Sequence, residues 1–161
     1  MNTTDCESIS RRDFLVNTAS QRILYLEDNE DMRYYVLHLL RAAGYEVALA
    51  ENLVDGLRLA KIENYDLYLL DYHLPDGTGI ELCRFIRAFD TSTPILIYSS
   101  SADEDMIRVA FSAGAQGYLN KDALQNLEQT VAQLIVSKEE VVAPGSKSDE
   151  EQRDFDDLVK T

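Results

Sequence analysis

Residues 69–77 read LLDYHLPDG, where two leucines lead directly into the carboxylate of Asp71 before a proline and a glycine turn the chain. The apolar run over residues 67–70 is typical of a strand that is buried on both faces of a parallel sheet. Burying an unpaired carboxylate at the end of such a strand is costly. Asp71 therefore needs an ionic partner, a solvent-exposed edge or a chemical function.

Apolar runs alternate with amphipathic stretches five times along the chain. The predicted strands cover residues 23–26, 46–50, 67–70, 95–98 and 117–119, and the predicted helices cover residues 30–43, 53–63, 79–89, 103–113 and 123–137. This alternation predicts an α/β fold with a parallel sheet, helices on both faces and right-handed crossovers. Five units of this length favour the doubly wound, flavodoxin-like (βα)5 fold, whose five-stranded parallel sheet has the order 2-1-3-4-5.

Residues near the predicted helix ends agree with this assignment. Gly44 and Gly114 follow the first and fourth helices, where a left-handed residue commonly ends a helix. The spacing of acceptors and acidic or amide residues indicates capping boxes that begin at Thr78, Ser101 and Asp122.

Only the middle of the chain has this regular pattern. We expect one domain over residues 22–137, a flexible N-terminal arm over 1–21 and an acidic, disordered tail over 138–161, with no output domain. Residues 154–161 could form a short amphipathic helix, although a solvated acidic tail is the favoured interpretation. Residues 10–15, SRRDFL, resemble an export signal but lack the apolar region that should follow, so we predict a cytoplasmic protein.

Composition limits the classes of partner. The 161 residues carry a formal net charge of −14, and 45% of them are hydrophobic. Such a charge repels nucleic-acid phosphates and anionic lipid headgroups, and no apolar run reaches the length of a membrane span. Cys6 and Cys83 form no spacing motif, and Cys83 is expected to be a reduced core residue. Cations and basic protein surfaces are therefore the expected partners.

Polar residues follow the predicted strands at the edge where an open α/β sheet binds its ligands. They are Glu27, Asp28, Asp71, Ser99, Ser100, Asn120 and Lys121. Three carboxylates held together are unfavourable unless a cation lies among them, and oxygen donors suit Mg²⁺. Lys121 and Ser99 can contact a phosphoryl group. The pattern therefore predicts a phosphoryl-transfer site in which Asp71 is the covalent acceptor.

Four blocks of sequence resemble the signature blocks of the response-regulator receiver domain of two-component signalling. The blocks are LYLEDNE at 24–30, LLDYHLPDG at 69–77, PILIYSS at 94–100 and AGAQGYLNK at 113–121. Their order and spacing match the family over residues 22–137.

The resemblance implies a role for each matching residue. Asp71 would take a phosphoryl group from a histidine kinase, and Mg²⁺, or Mn²⁺ in its place, would be held by Glu27, Asp28, Asp71 and the backbone carbonyl of His73. Lys121, Ser99 and Tyr118 would bind the phosphoryl group or respond to it, while His73 and Ser101 would tune its removal by water. The protein would promote only its own phosphorylation and dephosphorylation.

The same resemblance implies protein partners. The phosphoryl donor would be a sensor histidine kinase or a phosphotransfer protein. A downstream protein would bind the face formed by the fourth helix, fifth strand and fifth helix, or the phosphoryl group would pass along a phosphorelay. That face could also form a homodimer.

Two residues, Ser100 and Asp122, depart from the family pattern. Ser100 stands where alanine is common, a change that should still allow the phosphoryl group to approach. Asp122 stands where the family generally has proline, so a cis peptide bond is not expected there, and Asp122 could cap the fifth helix and compete for Lys121.

A receiver-like module that binds proteins without phosphorylation is the alternative function. A dehalogenase-type phosphatase fits poorly, because His73 stands where its second aspartate would be required. Taken singly, Asp71 could also simply begin a turn, and Lys121 could be solvated.

Overall fold

The computed structural model describes residues 20–142, and within them five parallel strands form one sheet. The strands are β1 (Arg22–Leu26), β2 (Glu46–Ala50), β3 (Leu67–Asp71), β4 (Ile95–Ser99) and β5 (Gly117–Asn120). Their order in the sheet is β2-β1-β3-β4-β5, and every pairing is parallel. The predicted fold class and strand order are therefore confirmed.

Helices cover both faces of this sheet. They are α1 (Glu30–Ala42), α2 (Leu53–Ile62), α3 (Gly79–Arg87), α4 (Glu104–Ser112) and α5 (Leu127–Val142). Side chains of α1 and α5 pack with one set of strand residues, and those of α2, α3 and α4 pack with the other set. The two cores arise because alternate residues of a strand point to opposite faces of the sheet.

The central strand shows why its sequence lacks an alternating polar pattern. All five residues of β3 are buried, because helices cover both of its faces. Leu67 and Leu69 belong to the core beneath α1 and α5, while Tyr68 and Leu70 belong to the opposite core. By this alternation Asp71 falls on the same face as Leu69.

Three of the predicted helix ends are confirmed in detail. Thr78 and Glu81 form a reciprocal capping box at the start of α3, where the Glu81 amide donates to Thr78 Oγ1 at 3.1 Å. Gly44 and Gly114 have φ values of 96° and 106°, a conformation that favours glycine.

The other two predicted capping boxes were wrong. Asp103, and not Ser101, caps α4, and its carboxylate accepts a hydrogen bond from the Asp105 amide. A 3₁₀ helix over Lys121–Asn126 follows β5 and is capped by Asn120, so Asp122 does not cap α5. The physical reason is that the chain makes a tighter turn before α5 begins.

Helix α5 also continues past the predicted domain boundary at residue 137. Lys138 Nζ lies 3.5 Å from the carbonyl oxygen of Tyr65 and 3.4 Å from Thr93 Oγ1, so this turn of the helix contacts the body of the domain. The export-like motif at 10–15, Cys6 and the suggested helix at 154–161 lie outside the described residues. Between residues 20 and 142, no helix is long and apolar enough to cross a membrane.

A short hairpin follows β3 and was not predicted. His73–Leu74 and Gly77–Thr78 pair as two antiparallel strands of two residues each, joined through Pro75 and Asp76. The hairpin connects the end of β3 to the start of α3 and so fixes the backbone beside Asp71.

Candidate functional site

The carboxyl ends of β1, β3 and β5 meet at one edge of the sheet and surround a cleft. Glu27 and Asp28 follow β1, Asp71 ends β3, and Lys121 follows β5. The cleft has a volume of about 310 Å³ and is lined by Glu27, Asp28, Asn29, Met32, Asp71, His73, Ser100 and Lys121. The fold therefore brings five of the predicted site residues together.

We call Glu27, Asp28 and Asp71 the acidic cluster. One carboxylate oxygen from each residue lies within 4.8 Å of the others. Glu27 is fully buried, Asp71 is 5% exposed and Asp28 is exposed. Three carboxylates at this spacing can coordinate a hard cation, and the exposure of Asp28 leaves one side of the cluster open to solvent.

Lys121 is the cationic partner of the two buried carboxylates. Its Nζ lies 2.6 Å from Glu27 Oε2 and 3.2 Å from Asp71 Oδ1, and its side chain is only 12% exposed. A buried charge that lacked such a partner would be strongly destabilising. Lys121 therefore offsets part of the negative charge of Glu27 and Asp71.

The surroundings of Asp71 disfavour its ionised form. Burial, together with the negative charge of Glu27, raises the pKa of Asp71 to about 6, although Lys121 acts in the opposite direction. A cation bound at the cluster would favour the carboxylate form of Asp71. A positive charge in addition to Lys121 would therefore stabilise the ionised site.

Arg33 fixes the backbone that carries Glu27 and Asp28, a role that we did not predict. Its Nη1 donates to the carbonyl oxygens of Glu27 at 3.0 Å and Asp28 at 3.4 Å, and its Nη2 pairs with Glu51 at 3.0 Å. Asn29 caps α1 through a 2.9 Å bond from the Met32 amide. The sequence offered a signal for this role, because Arg33 lies one turn into α1 and is therefore close to the residues that precede the helix.

The loop after β3 approaches Asp71 closely at Gly79. The Gly79 amide donates to the carbonyl oxygen of Tyr72 at 2.8 Å. A Cβ atom on residue 79 would lie 2.3 Å from the backbone oxygen of Asp71, so only glycine fits there. The side chain of His73 is exposed and packs edge-on against Tyr72, which is compatible with the predicted use of its backbone carbonyl.

Ser99, Ser101 and Tyr118 form a separate group beside the cleft. Ser99 is fully buried, and its Oγ accepts a hydrogen bond from the Ser101 amide at 3.3 Å. The Tyr118 hydroxyl donates to the Ser101 carbonyl oxygen at 2.6 Å. These residues do not line the cleft. Hydrogen bonds to Ser101 link Ser99 and Tyr118 through the loop between β4 and α4.

Asp122 does not compete for Lys121. Its amide donates to Asn120 Oδ1 at 2.8 Å, its side chain is exposed, and both ion pairs of Lys121 are with the acidic cluster. Among residues 20–142 there is no cis peptide bond, as expected for this junction. The replacement of proline by Asp122 thus leaves Lys121 in contact with the acidic cluster.

Two buried tyrosines lie next to the site and were also not predicted. Tyr25 and Tyr98 are both 0% exposed, and the Tyr25 hydroxyl donates to Glu27 Oε2 at 3.4 Å. A signal was available, because Tyr25 precedes Glu27 by two residues and so shares its face of the sheet.

A larger cavity, of about 880 Å³, lies at the opposite end of the strands. Its lining includes Arg22, Asp66, Thr93 and Lys138. Within the part of the chain that the structure describes, the one group of three possible metal ligands is the acidic cluster, which is not in this cavity. Size alone therefore does not identify the functional site.

Comparison with known proteins identifies the family. The model of the response regulator receiver domain matches residues 23–132, and the chain belongs to that family.

Curated relatives contain the same domain within longer proteins. The sensor histidine kinase AruS of Pseudomonas aeruginosa is 38% identical over 109 residues, which cover 65% of this chain and 11% of AruS. The cell cycle transcriptional regulator CtrA of Caulobacter vibrioides is 36% identical over 100 residues, which cover 62% of this chain and 43% of CtrA. The chain thus spans less than half the length of both relatives.

Solved structures agree with the fold. The chemotaxis protein CheY4 of Vibrio cholerae is 28% identical, with a TM-score of 0.66 over 72% of this chain and 99% of that one. The receiver domain of a sensor histidine kinase from Pseudomonas aeruginosa is 31% identical, with a TM-score of 0.63 over 73% of this chain and 98% of that one. That second structure has a magnesium ion coordinated in its active-site cleft.

Proposed function

We propose that this protein is a phosphorylatable switch in which Asp71 accepts a phosphoryl group in a Mg²⁺-dependent reaction. The observation that carries the proposal is the contact of Lys121 Nζ with Asp71 within a cluster of three carboxylates at the open edge of the sheet. Membership of the receiver family supports the same chemistry.

The proposed donor is a phosphohistidine on a sensor kinase or a phosphotransfer protein. A carboxylate oxygen of Asp71 forms a bond to phosphorus as the phosphorus–nitrogen bond of the donor breaks. The electron pair of the broken bond leaves with the imidazole nitrogen. Lys121 offers a positive charge to the phosphoryl oxygens, where negative charge is concentrated during transfer. Attack by water on phosphorus later releases inorganic phosphate and restores the carboxylate, so the protein acts only on its own phosphoryl group.

The residues that would hold Mg²⁺ are Glu27, Asp28 and Asp71, together with the backbone carbonyl of His73. Their donors are all oxygens, which fits Mg²⁺ and also Mn²⁺. The bound ion would neutralise charge between the carboxylates and the phosphoryl group. The magnesium ion in the related receiver domain from Pseudomonas aeruginosa supports this assignment.

The proposed output is a change in the face formed by α4, β5 and α5. Ser99 would turn toward the phosphoryl group, and its hydrogen bond with the Ser101 amide provides a route to Tyr118 on β5. Val109 and Phe111 of α4 are 42% and 48% exposed and could contact a downstream protein or a second copy of the chain. Residues His73 and Ser101 would set the rate at which water removes the phosphoryl group.

The proposed partners are therefore proteins, namely a kinase or phosphotransfer protein and a downstream target, rather than nucleic acids or membranes. The acidic surface supports this choice, since it repels polyanions. We propose the cytoplasm as the site of the reaction, and the free, buried thiol of Cys83 is compatible with a reducing compartment.

Intact-mass spectrometry after incubation with Mg²⁺ and acetyl phosphate tests the proposal. We expect one phosphoryl adduct that requires Mg²⁺ and is absent from the Asp71→Asn variant. Because some receivers accept only from their kinase, binding of beryllofluoride in the presence of Mg²⁺ is measured in parallel. The absence of both the adduct and beryllofluoride binding would contradict the proposal and favour a module that binds proteins without phosphorylation.

A further inference from the structure

Tyr25 and Tyr98 lie on the same face of the sheet as the two buried carboxylates of the acidic cluster. Tyr25 is two residues before Glu27, and Tyr98 of β4 is paired in register with Asp71 of β3. Residues in register on parallel strands point to the same side of a sheet, and both tyrosines belong to the core beneath α1 and α5. The tyrosines therefore form the layer directly below the site.

The Tyr98 hydroxyl is the one buried side-chain polar group without a hydrogen-bond partner within residues 20–139. Its residue is 0% exposed, so the hydroxyl is out of reach of bulk solvent. A buried hydroxyl that makes no hydrogen bond costs free energy, and phenylalanine would fill the same space without that cost. Packing of the core therefore does not explain why residue 98 is tyrosine rather than phenylalanine.

The Tyr98 ring lies near a lysine that changes partner during the proposed reaction. Lys121 Nζ is 5.6 Å from the centroid of the Tyr98 ring and 2.6 Å from Glu27 Oε2. When Lys121 turns to a phosphoryl group on Asp71, Glu27 loses this charged donor. Its remaining hydrogen-bond donors are the Asn29 amide at 3.2 Å to Oε1 and the Tyr25 hydroxyl at 3.4 Å to Oε2, which is a long hydrogen bond. Mg²⁺ held by Glu27 would offset charge but would supply no hydrogen bond to the carboxylate.

We propose that Tyr98 is a positioning residue that donates a hydrogen bond to the Glu27 carboxylate when Lys121 moves onto the phosphoryl group. Tyr25 is the second hydroxyl donor to the same carboxylate. The inference rests on the proposed function, because it concerns the phosphorylated state of Asp71. Burial, followed by the charges of Glu27 and Asp71, raises the pKa of Tyr98 to about 12. The hydroxyl therefore stays protonated and can donate a hydrogen bond.

The proposal makes opposite predictions for the two states of the protein. In the unliganded protein the Tyr98 oxygen makes no hydrogen bond, so Tyr98→Phe leaves the midpoint of denaturation unchanged or raises it. In the phosphoryl-bound state the same variant removes a hydrogen bond to a charged group. We expect its beryllofluoride affinity to fall about tenfold, which corresponds to about 1.4 kcal/mol.

The experiment uses the full chain and isothermal titration calorimetry with beryllofluoride at saturating Mg²⁺, alongside urea denaturation without ligand. Tyr68→Phe is the matched control, because Tyr68 is 1% exposed and its hydroxyl bonds Asp90 Oδ2 at 3.0 Å, far from the site. We expect Tyr68→Phe to lower the unliganded midpoint and to leave beryllofluoride affinity unchanged.

Each result decides the matter. An unchanged beryllofluoride affinity in Tyr98→Phe, with normal binding by the wild type, overturns the role of Tyr98 and leaves the proposed function intact. A midpoint for unliganded Tyr98→Phe as low as that of Tyr68→Phe also overturns it, because the hydroxyl would then be bonded before any phosphoryl group arrives. If the wild type binds no beryllofluoride, the proposed function fails and this inference fails with it.

Discussion

At the scale of single residues, the site is defined by two buried carboxylates that share one lysine. Glu27 and Asp71 are 0% and 5% exposed, and Lys121 Nζ contacts both. One positive charge between two negative charges leaves the group with a net negative charge in a buried place. This arrangement disfavours the ionised form of Asp71. Burial and the negative charge of Glu27 raise the pKa of Asp71 to about 6.

This raised pKa makes stability depend on pH. Because the folded-state pKa of Asp71 exceeds its ordinary value of 3.8, the stability that its protonated form provides is present below pH 3.8 and is lost as pH rises through about 6. Without metal, Asp71→Asn should therefore raise the free energy of unfolding by about 1–3 kcal/mol at pH 7.5 and by much less at pH 4.

Urea denaturation in the presence of a chelator, at both pH values, checks this prediction. The charged groups that face Asp71 are Glu27, Asp28 and Lys121, and they are the same in both proteins. Asp122→Asn, at an exposed position, is the matched control and should show no such change. Equal gains from Asp71→Asn at pH 4 and pH 7.5 would contradict the assignment.

At the scale of elements, the loops between strands and helices determine where the reactive groups lie. The hairpin over His73–Thr78 influences two helices. It leads into Gly79, the first residue of α3, which lies close to the backbone of Asp71. Its Asp76 accepts a hydrogen bond from the first amide of α2. Neither contact follows from the strand and helix pattern of the sequence.

Gly79→Ala should disturb the site through the backbone. The new Cβ would lie 2.3 Å from the Asp71 oxygen and 3.1 Å from its carbonyl carbon, so α3 or the end of β3 must move. We expect a loss of about 1–3 kcal/mol in stability and a weaker affinity for Mg²⁺, measured by denaturation and calorimetry.

Gly44→Ala is the control for this variant. Gly44 has a φ of +96°, and a Cβ there would meet no atom within 4 Å. The control should lose about 1–2 kcal/mol through backbone strain and keep its Mg²⁺ affinity. Equal Mg²⁺ affinities for Gly79→Ala and wild type would show that the contact with Asp71 has no influence on the cluster.

Asp76 should stabilise α2 from a distance in sequence. Its carboxylate accepts hydrogen bonds from the first two amides of the helix, Leu53 at 2.7 Å and Val54 at 3.1 Å, and Asn52 accepts one from the third, Asp55. Asp76→Ala should cost about 1–2 kcal/mol, because two amides of the first turn lose their acceptor.

Thermal or urea denaturation of Asp76→Ala measures this loss, and Asp122→Ala, an exposed aspartate away from α2, is the comparison. Hydrogen exchange at Leu53 and Val54 should rise in the variant. A stability equal to that of Asp122→Ala would mean that water replaces the carboxylate at no cost.

At the scale of the whole molecule, the negative charge and the open acidic cluster favour cations. The chain carries a formal net charge of −14, and three carboxylates of the cluster lie within 4.8 Å of one another. A ligand that binds only the folded state stabilises it by mass action. Mg²⁺ should therefore raise the unfolding temperature progressively, by an amount equivalent to about 2.7 kcal/mol at a hundred times its dissociation constant.

Scanning calorimetry across a Mg²⁺ series, at constant ionic strength kept with NaCl, measures this effect. The salt control is needed because general screening also relieves repulsion in an acidic protein. Asp28→Asn, which changes the exposed member of the cluster, should reduce the response. A response that NaCl reproduces in full would exclude a specific site.

The architecture could be predicted because hydrophobic pattern and turn residues carry it directly. The near-continuous apolar runs before Asp71 and Ser99 indicated buried parallel strands, and the rule for open α/β sheets then located the site at their carboxyl ends. Helix boundaries were less accurate, most of all at α5, because the 3₁₀ turn over Lys121–Asn126 has no distinct hydrophobic pattern.

The sequence by itself determined the order of the strands and the types of residue at the edge of the sheet, because both depend on local pattern and on topology. Only the tertiary structure decided which groups touch. The contacts of Lys121 with Glu27, of Gly79 with Asp71 and of Asp76 with α2 join distant parts of the chain. Such contacts depend on the packing of side chains and loops in three dimensions, which no local pattern of hydrophobic residues specifies.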